Sequence, residues 1–164
     1  MSRAFVKELD EPAAERLPEK PQSPHINYVT PTGLAQLKTR VKDLIALRNA
    51  LIDKDDLGSQ QQLKMVERDL HYYTERVNRA ILVAPETQPA DTVHFGATVE
   101  VEDSSGERLN FTIVGEDEAD AAEGRISWVS PLAQALLNSR VGDLVTWKRP
   151  AGDKELEIVA IRKA

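Results

Sequence analysis

Leu34, Leu37, Val41, Leu44, Arg48 and Leu51 step along the chain by three residues and then four. Leu63, Val66, Leu70, Tyr73, Val77 and Ala80 take up the same step after a short interruption. That spacing is the a/d seam of a coiled coil, so each stretch is a helix with one apolar stripe. The interruption reads Asp53, Lys54, Asp55, Asp56, Leu57, Gly58. Two stripes joined by so short a turn pair most cheaply with each other, because loop closure is easy at this length. The expectation is a monomeric, antiparallel helical hairpin with carboxylates at its far end.

Local signals bound the two helices. Thr30 followed by Pro31 is an N-cap with proline at the first helical position, which predicts helix from Pro31 to about Ile52. At ~1.5 Å per residue this helix is roughly 30 Å long. Ser59 with Gln62 three residues on fits a capping box and predicts that the second helix starts there. That helix is expected to reach about Val83, because Pro85 and Pro89 forbid its continuation. Arg48 interrupts the first seam and is expected to snorkel to water.

Beyond Asp91 the period changes to two. Strands are predicted at Val93–Glu102, Arg108–Val114, Ile126–Val129, Leu144–Arg149 and Leu156–Arg162. Asp103 to Gly106 and Pro150 to Asp153 carry turn chemistry. Ser130 and Pro131 cap a short helix over Leu132–Leu137. The expected core draws on Phe95, Val99, Val101, Phe111, Ile113, Ile126, Leu136, Val145, Ile158 and Ile161, with Trp128 and Trp147 at core and rim. Residues 1–27 include Pro12, Pro18, Pro21 and Pro24 among mixed charges and read as a disordered leader, the alternative being that Phe5 and Val6 form a short docking element. The expected organisation is a leader at 1–27, the hairpin at 28–84, a linker at 85–92 and a sheet domain at 93–164.

Composition excludes several functions. There is no cysteine, so disulfides, thiolate metal sites and cysteine nucleophiles are absent. His25, His71 and His94 are scattered without metal-ligand spacing. Asp117, Glu118, Ala119 and Asp120 spell a helicase motif in letters only, since no phosphate-cradling loop accompanies them. No apolar run approaches the ~18 residues of a membrane span, and the opening residues lack an apolar signal core, so a cytoplasmic protein is expected. Charge is uneven. Residues 30–81 hold nine Lys/Arg and seven Asp/Glu, whereas residues 91–164 hold eight Lys/Arg and fourteen Asp/Glu. An acidic domain suits a basic protein surface better than bare nucleic acid.

Read in order, Val93 to Val99, Ile113 to Asp120, Ile126 to Ala133, Ala135 to Leu137 and Gly142-Asp143 resemble the Gre family of bacterial transcription elongation (transcript-cleavage) factors, GreA/GreB-like. Asn27 to Thr30 and Gly33-Leu34 resemble that family's opening, so the likeness spans about residues 27–164. It implies an α+β chain: a coiled-coil hairpin followed by an FKBP-like antiparallel sheet domain that binds RNA polymerase at the rim of its secondary channel. The resemblance implies that the hairpin enters the channel and that its tip acids help hold a magnesium ion at the polymerase's own active site. The protein is then an accessory with no active site and no cofactor of its own. The metal-facing residues expected are Asp53, Asp55 and Asp56. The partner-binding residues implied are Ser130, Pro131, Leu132 and Ala133, with Asp117, Glu118 and Asp120 pairing to basic groups of the partner.

The chain departs from the family at the tip, whose pattern there is Gly-Asp-x-x-Glu-Asn-Ala-Glu-Tyr. Asp56 and Leu57 can be laid on the family's Asp and its successor, but the essential Glu falls on Ser59, and the next acid is replaced within Gln60, Gln61 and Gln62. The helices are also expected to be shorter by about two turns each, roughly 12 Å of reach at ~1.5 Å per residue. The expectation is therefore a divergent paralogue that docks on polymerase with weak or no stimulation of cleavage. The alternatives are an authentic cleavage-stimulating factor, a coiled-coil scaffold or direct RNA/DNA binder using Lys38, Arg40, Lys42, Arg48, Lys64 and Arg68, and a prolyl isomerase suggested by fold alone.

Overall fold

A computed structural model describes residues 16–163. The chain divides into two compact units. One holds Leu37–Asn78 together with the segment ending at Pro24, and the other holds His25–Gln36 and Arg79–Ala164.

Helix α1 runs Pro31–Leu51 and helix α2 Leu57–Arg79. Thr30 caps α1 as expected: its Oγ1 accepts from Gly33 N at 2.9 Å and its carbonyl from Leu34 N at 2.9 Å. In the first unit Leu44, Leu51 and Val66 form a buried cluster, with Leu63, Leu70 and Tyr73 packed against it. Both stripes thus meet, and the Arg40 guanidinium lies 5.4 Å from the Tyr73 ring centre. Arg48 is half-buried, and its Nε has no hydrogen-bond partner among the described residues. One buried residue of α2 escaped the stripe: Arg76 is 1 % exposed, more deeply buried than its neighbour Val77.

The leader differs from the expectation where it is described. Residues 1–15, Phe5 and Val6 among them, lie outside the described residues. From Arg16 the chain forms no helix or strand up to Tyr28, yet it holds α2 by side-chain contacts. Lys20 Nζ sits 4.9 Å from the Tyr72 ring centre and 3.8 Å from Asp69 Oδ1, and Gln22 Nε2 donates to the Tyr72 carbonyl at 3.2 Å. Pro18, Pro21 and Pro24 remove conformations from the free segment, which lowers the entropy lost when it is held.

Helix α2 stops at Arg79, four residues short of the expected end, because β2 (Ile81–Leu82) pairs in parallel with β1 (Tyr28–Val29). Ile81 N donates to Asn27 O at 2.9 Å and Val83 N to Val29 O at 3.0 Å, so these amides find partners outside a helix.

The second unit is built on five strands in the order β5-β4-β3-β7-β6. They are β3 (Ala97–Asp103), β4 (Arg108–Val114), β5 (Arg125–Ser127), β6 (Leu144–Trp147) and β7 (Lys154–Lys163). Strand β3 starts at Ala97 rather than Val93, because Gly96 takes φ +87° and turns the chain first. A register shift lies between Glu100 and Val101. The sheet departs from the antiparallel expectation at one edge: β5 runs parallel to β4, with Thr112 opposite Arg125 and Val114 opposite Ser127. The short helix α3 is Pro131–Leu136. The core gathers Val93, Val99, Val101, Ile113, Leu132, Ala133, Leu136, Leu156 and Ile158, with Phe95, Phe111, Ile126, Val145, Ile161 and both tryptophans partly buried against it. Among the described residues no helix is long and apolar enough to cross a membrane.

Candidate functional site

The acidic turn lies between α1 and α2. Asp53, Asp55 and Asp56 are all exposed, and Leu57 beside them is 69 % exposed. Asp56 is the N-cap of α2, in place of the expected Ser59. Its Oδ2 accepts from Ser59 N at 2.9 Å, and its carbonyl accepts from Gln60 N at 3.0 Å. Asp and Ser are both good caps, but Asp also brings negative charge to the positive end of the helix. The hydrogen bond from the Ser59 backbone, then the Ser59 side chain, and more weakly the charge of Lys54, hold the Asp56 carboxyl below its ordinary value. No three His, Cys, Asp or Glu side chains among the described residues are grouped so as to hold a metal ion. Asp53, Asp55 and Asp56 are expected to share a metal with a partner's active site, and by themselves they form no such group.

The second candidate belongs to the sheet unit. Because β4 and β5 are parallel, the segments leaving their C-terminal ends emerge at the same edge of the sheet. One is the acidic loop Gly115 to Asp120, and the other is Trp128 to Pro131, which opens α3. The antiparallel expectation had not placed them together. Ser130 caps α3, its Oγ accepting from Ala133 N at 3.2 Å. Pro131 is exposed and Ser130 half-buried. Leu132 is 4 % exposed and Ala133 fully buried, so these two expected docking residues belong to the core and support the surface from below.

The expected acids of the loop differ in what they do. Asp120 faces Arg125 at 3.4 Å, and the two backbones exchange hydrogen bonds of 2.8 and 3.0 Å. Asp117 is exposed. Glu118 is half-buried, and its Oε2 accepts from the Thr30 hydroxyl at 2.6 Å. Two glycines permit this close approach. A Cβ on Gly33 would lie 2.7 Å from Glu118 Oε2, and one on Gly115 would lie 2.4 Å from the Tyr28 carbonyl. Tyr28 in turn stacks edge-on against Trp128 at 5.1 Å and tilts against Phe95 at 6.0 Å. The sequence marks Thr30 as a helix cap and, with Gly33, as part of the opening that resembles the Gre family. Nothing local in the sequence links them to a loop some ninety positions away.

The model of the transcription elongation factor GreA/GreB C-terminal domain matches residues 88–163. The transcription elongation factor GreB of Neisseria meningitidis serogroup A is 34 % identical over 151 residues, covering 82 % of this chain and 93 % of its own. The transcription elongation factor GreA of Methylococcus capsulatus is 48 % identical over 86 residues, covering 52 % of this chain and 54 % of its own. Among solved structures, the GreA factor homolog 1 (Gfh1) of Thermus thermophilus is 28 % identical with a TM-score of 0.41, covering 84 % of this chain and 99 % of its own.

Proposed function

The chain belongs to the GreA/GreB family of transcription elongation factors, and on that premise we propose that it regulates elongation by docking on RNA polymerase, with weak or no stimulation of transcript cleavage. In this reading the sheet unit is the FKBP-like anchor at the rim of the secondary channel. Helices α1 and α2 form a coiled-coil hairpin offered to that channel. Pro131 and the exposed acids Asp117 and Asp120 meet a basic polymerase surface, while Leu132 and Ala133 hold Pro131 up from the core. The factor works as a monomer in the cytoplasm and has no active site of its own. Its contact with RNA or DNA, if the hairpin is inserted, is confined to the complex.

One observation carries the reading of weak cleavage. The acid that can be laid on the family's tip aspartate, Asp56, is engaged as the cap of α2 by Ser59 N at 2.9 Å. With Oδ2 engaged at the helix end, the orientation of this carboxylate is set by the cap, whereas magnesium demands near-ideal octahedral oxygen geometry. With Ser59 and three glutamines on the other tip positions, the second acid of the family's pattern is missing, and Asp53 and Asp55 have no counterparts in that pattern. No catalytic step is assigned to a metal held by this chain.

The test is cleavage of backtracked RNA by polymerase at increasing factor concentration, with wild-type chain and Asp56→Asn. Asparagine caps as well as aspartate, so the variant removes the charge and keeps the helix. We expect little cleavage above the polymerase's own with either chain, together with competition against an active cleavage factor. Strong cleavage by wild type that disappears in Asp56→Asn would establish the authentic cleavage factor instead.

A further inference from the structure

We infer that Glu118 is a positioning residue, which latches the acidic loop to the first turn of α1 and thereby holds the docking face in register. The inference rests on the docking reading above and deepens it. The observations form one chain of contacts. Gly33 N donates to Thr30 Oγ1 at 2.9 Å, and the same hydroxyl donates its proton to Glu118 Oε2 at 2.6 Å. The Thr30 hydroxyl is therefore used in both senses, as acceptor for the helix and donor to the loop. Thr30 is buried and Glu118 half-buried, so the bond is sheltered on one side from competing water.

Gly33 leaves the space that the Glu118 carboxylate fills. Next in the chain, Gly115 lets the loop's first residue close on the Tyr28 carbonyl. These contacts fix the loop at both ends of its 3₁₀ turn, Glu116–Glu118. Asp117 lies between the two fixed points, and Asp120 follows, paired with Arg125. A partner's basic side chain would meet Asp117 and Asp120 at set positions, with the ordering entropy of the loop already lost before docking.

A direct contact and a latch respond differently to four substitutions. Glutamine at 118 still accepts from the Thr30 hydroxyl but carries no charge. Alanine at 118 removes both. Thr30→Val leaves the loop's own sequence unchanged but removes the hydroxyl, and with it both the α1 cap and the bond to Glu118. Gly33→Ala puts a methyl group where the carboxylate end sits; that flexible end can swing away, and alanine favours helix over glycine, so the fold is kept while the latch opens.

The experiment measures affinity for core RNA polymerase and amide exchange of Glu118 and Asp120 in the free protein, for the full-length chain. Expected are losses of about tenfold in affinity for Glu118→Ala, Thr30→Val and Gly33→Ala, a change under about threefold for Glu118→Gln, and no further loss when Thr30→Val and Glu118→Ala are combined. Exchange of the loop amides should rise in the same three variants and not in Glu118→Gln. Loss of affinity in Glu118→Gln equal to that in Glu118→Ala, with Thr30→Val and Gly33→Ala like wild type, would make Glu118 a direct charge contact and overturn the inference. Unchanged loop exchange in Thr30→Val and Gly33→Ala would overturn it as well. Failure of the wild-type chain to bind polymerase would instead remove the docking reading, and the exchange data alone would then decide the latch.

Discussion

Asp103 organises the turn between β3 and β4 through one carboxylate. Oδ1 accepts from Ser105 N at 2.9 Å, Ser105 Oγ at 2.6 Å and Glu107 N at 3.0 Å, while Oδ2 faces Lys154 Nζ at 3.1 Å. The Ser105 hydroxyl and then Lys154 hold the carboxyl far below its ordinary value. The folded state therefore binds this proton more weakly than the unfolded chain does. Its contribution to stability is complete above the ordinary carboxylate range and disappears as acid takes the pH down through the lowered folded value. Asp103→Asn should lower the Tm at neutral pH and flatten the acid limb of a stability-versus-pH curve, as thermal melts between neutral and strongly acid pH would show. Asp56 allows a second comparison. Asp56→Ala should lower the Tm and speed exchange at the Ser59 and Gln60 amides, whereas Asp56→Asn should leave both close to wild type. The sequence announced the Asp103 turn clearly, since Asp, Ser, Ser and Gly are turn residues in order. It could not choose between Asp56 and Ser59 as cap. Both residue types cap helices, they stand three positions apart, and only the chain geometry selects one.

At the scale of elements, the helical stripes were legible because a 3.6-residue period leaves a strong imprint over twenty residues, and Leu44, Leu51 and Val66 are buried together as the stripes required. Leu44→Ala should cost about 2–5 kcal/mol by removing a buried side chain and leaving a cavity. Since the two buried clusters share no residue, hydrogen exchange should rise through α1 and α2 while β3 and β7 keep their protection. The short strands were harder to read. Ile81 and Leu82 continue the second helix as well as they make a strand, and their pairing with Tyr28 and Val29 is decided fifty residues away. Strand β5 is only three residues long, and nothing within Arg125, Ile126 and Ser127 reveals that it runs parallel to β4. That one direction sets the candidate docking edge. The residue types of the site were thus visible in the sequence, and their neighbourhood was not. Leu132 and Ala133 show the same limit: both lie in the core, which their place in the stretch Ser130 to Ala133 does not reveal.

For the whole molecule, charge is the property that composition fixes most directly. The net charge of −6 equals the balance of residues 91–164, where fourteen acids oppose eight bases. Docking on a basic partner through that part of the chain should be steered electrostatically. Raising salt from low to physiological strength shortens the screening length to about 8 Å, so association with polymerase should slow while dissociation changes little. Stopped-flow measurements at several ionic strengths would show this, and a salt-independent association rate would argue for an apolar contact instead. A last consequence lies in the parallel pairing of Tyr28 with Ile81 and Val29 with Leu82. The chain is fastened to itself immediately before the two helices begin and immediately after they end. Beyond the first turn of α1, where Gly33 makes room for Glu118, the chain between these points is a cassette whose ends are already tied, so its length and chemistry can be traded without retailoring the remainder. Exchanging residues 37–78 for the matching stretch of a relative should yield a hybrid with an unaltered sheet and a new repertoire at the turn.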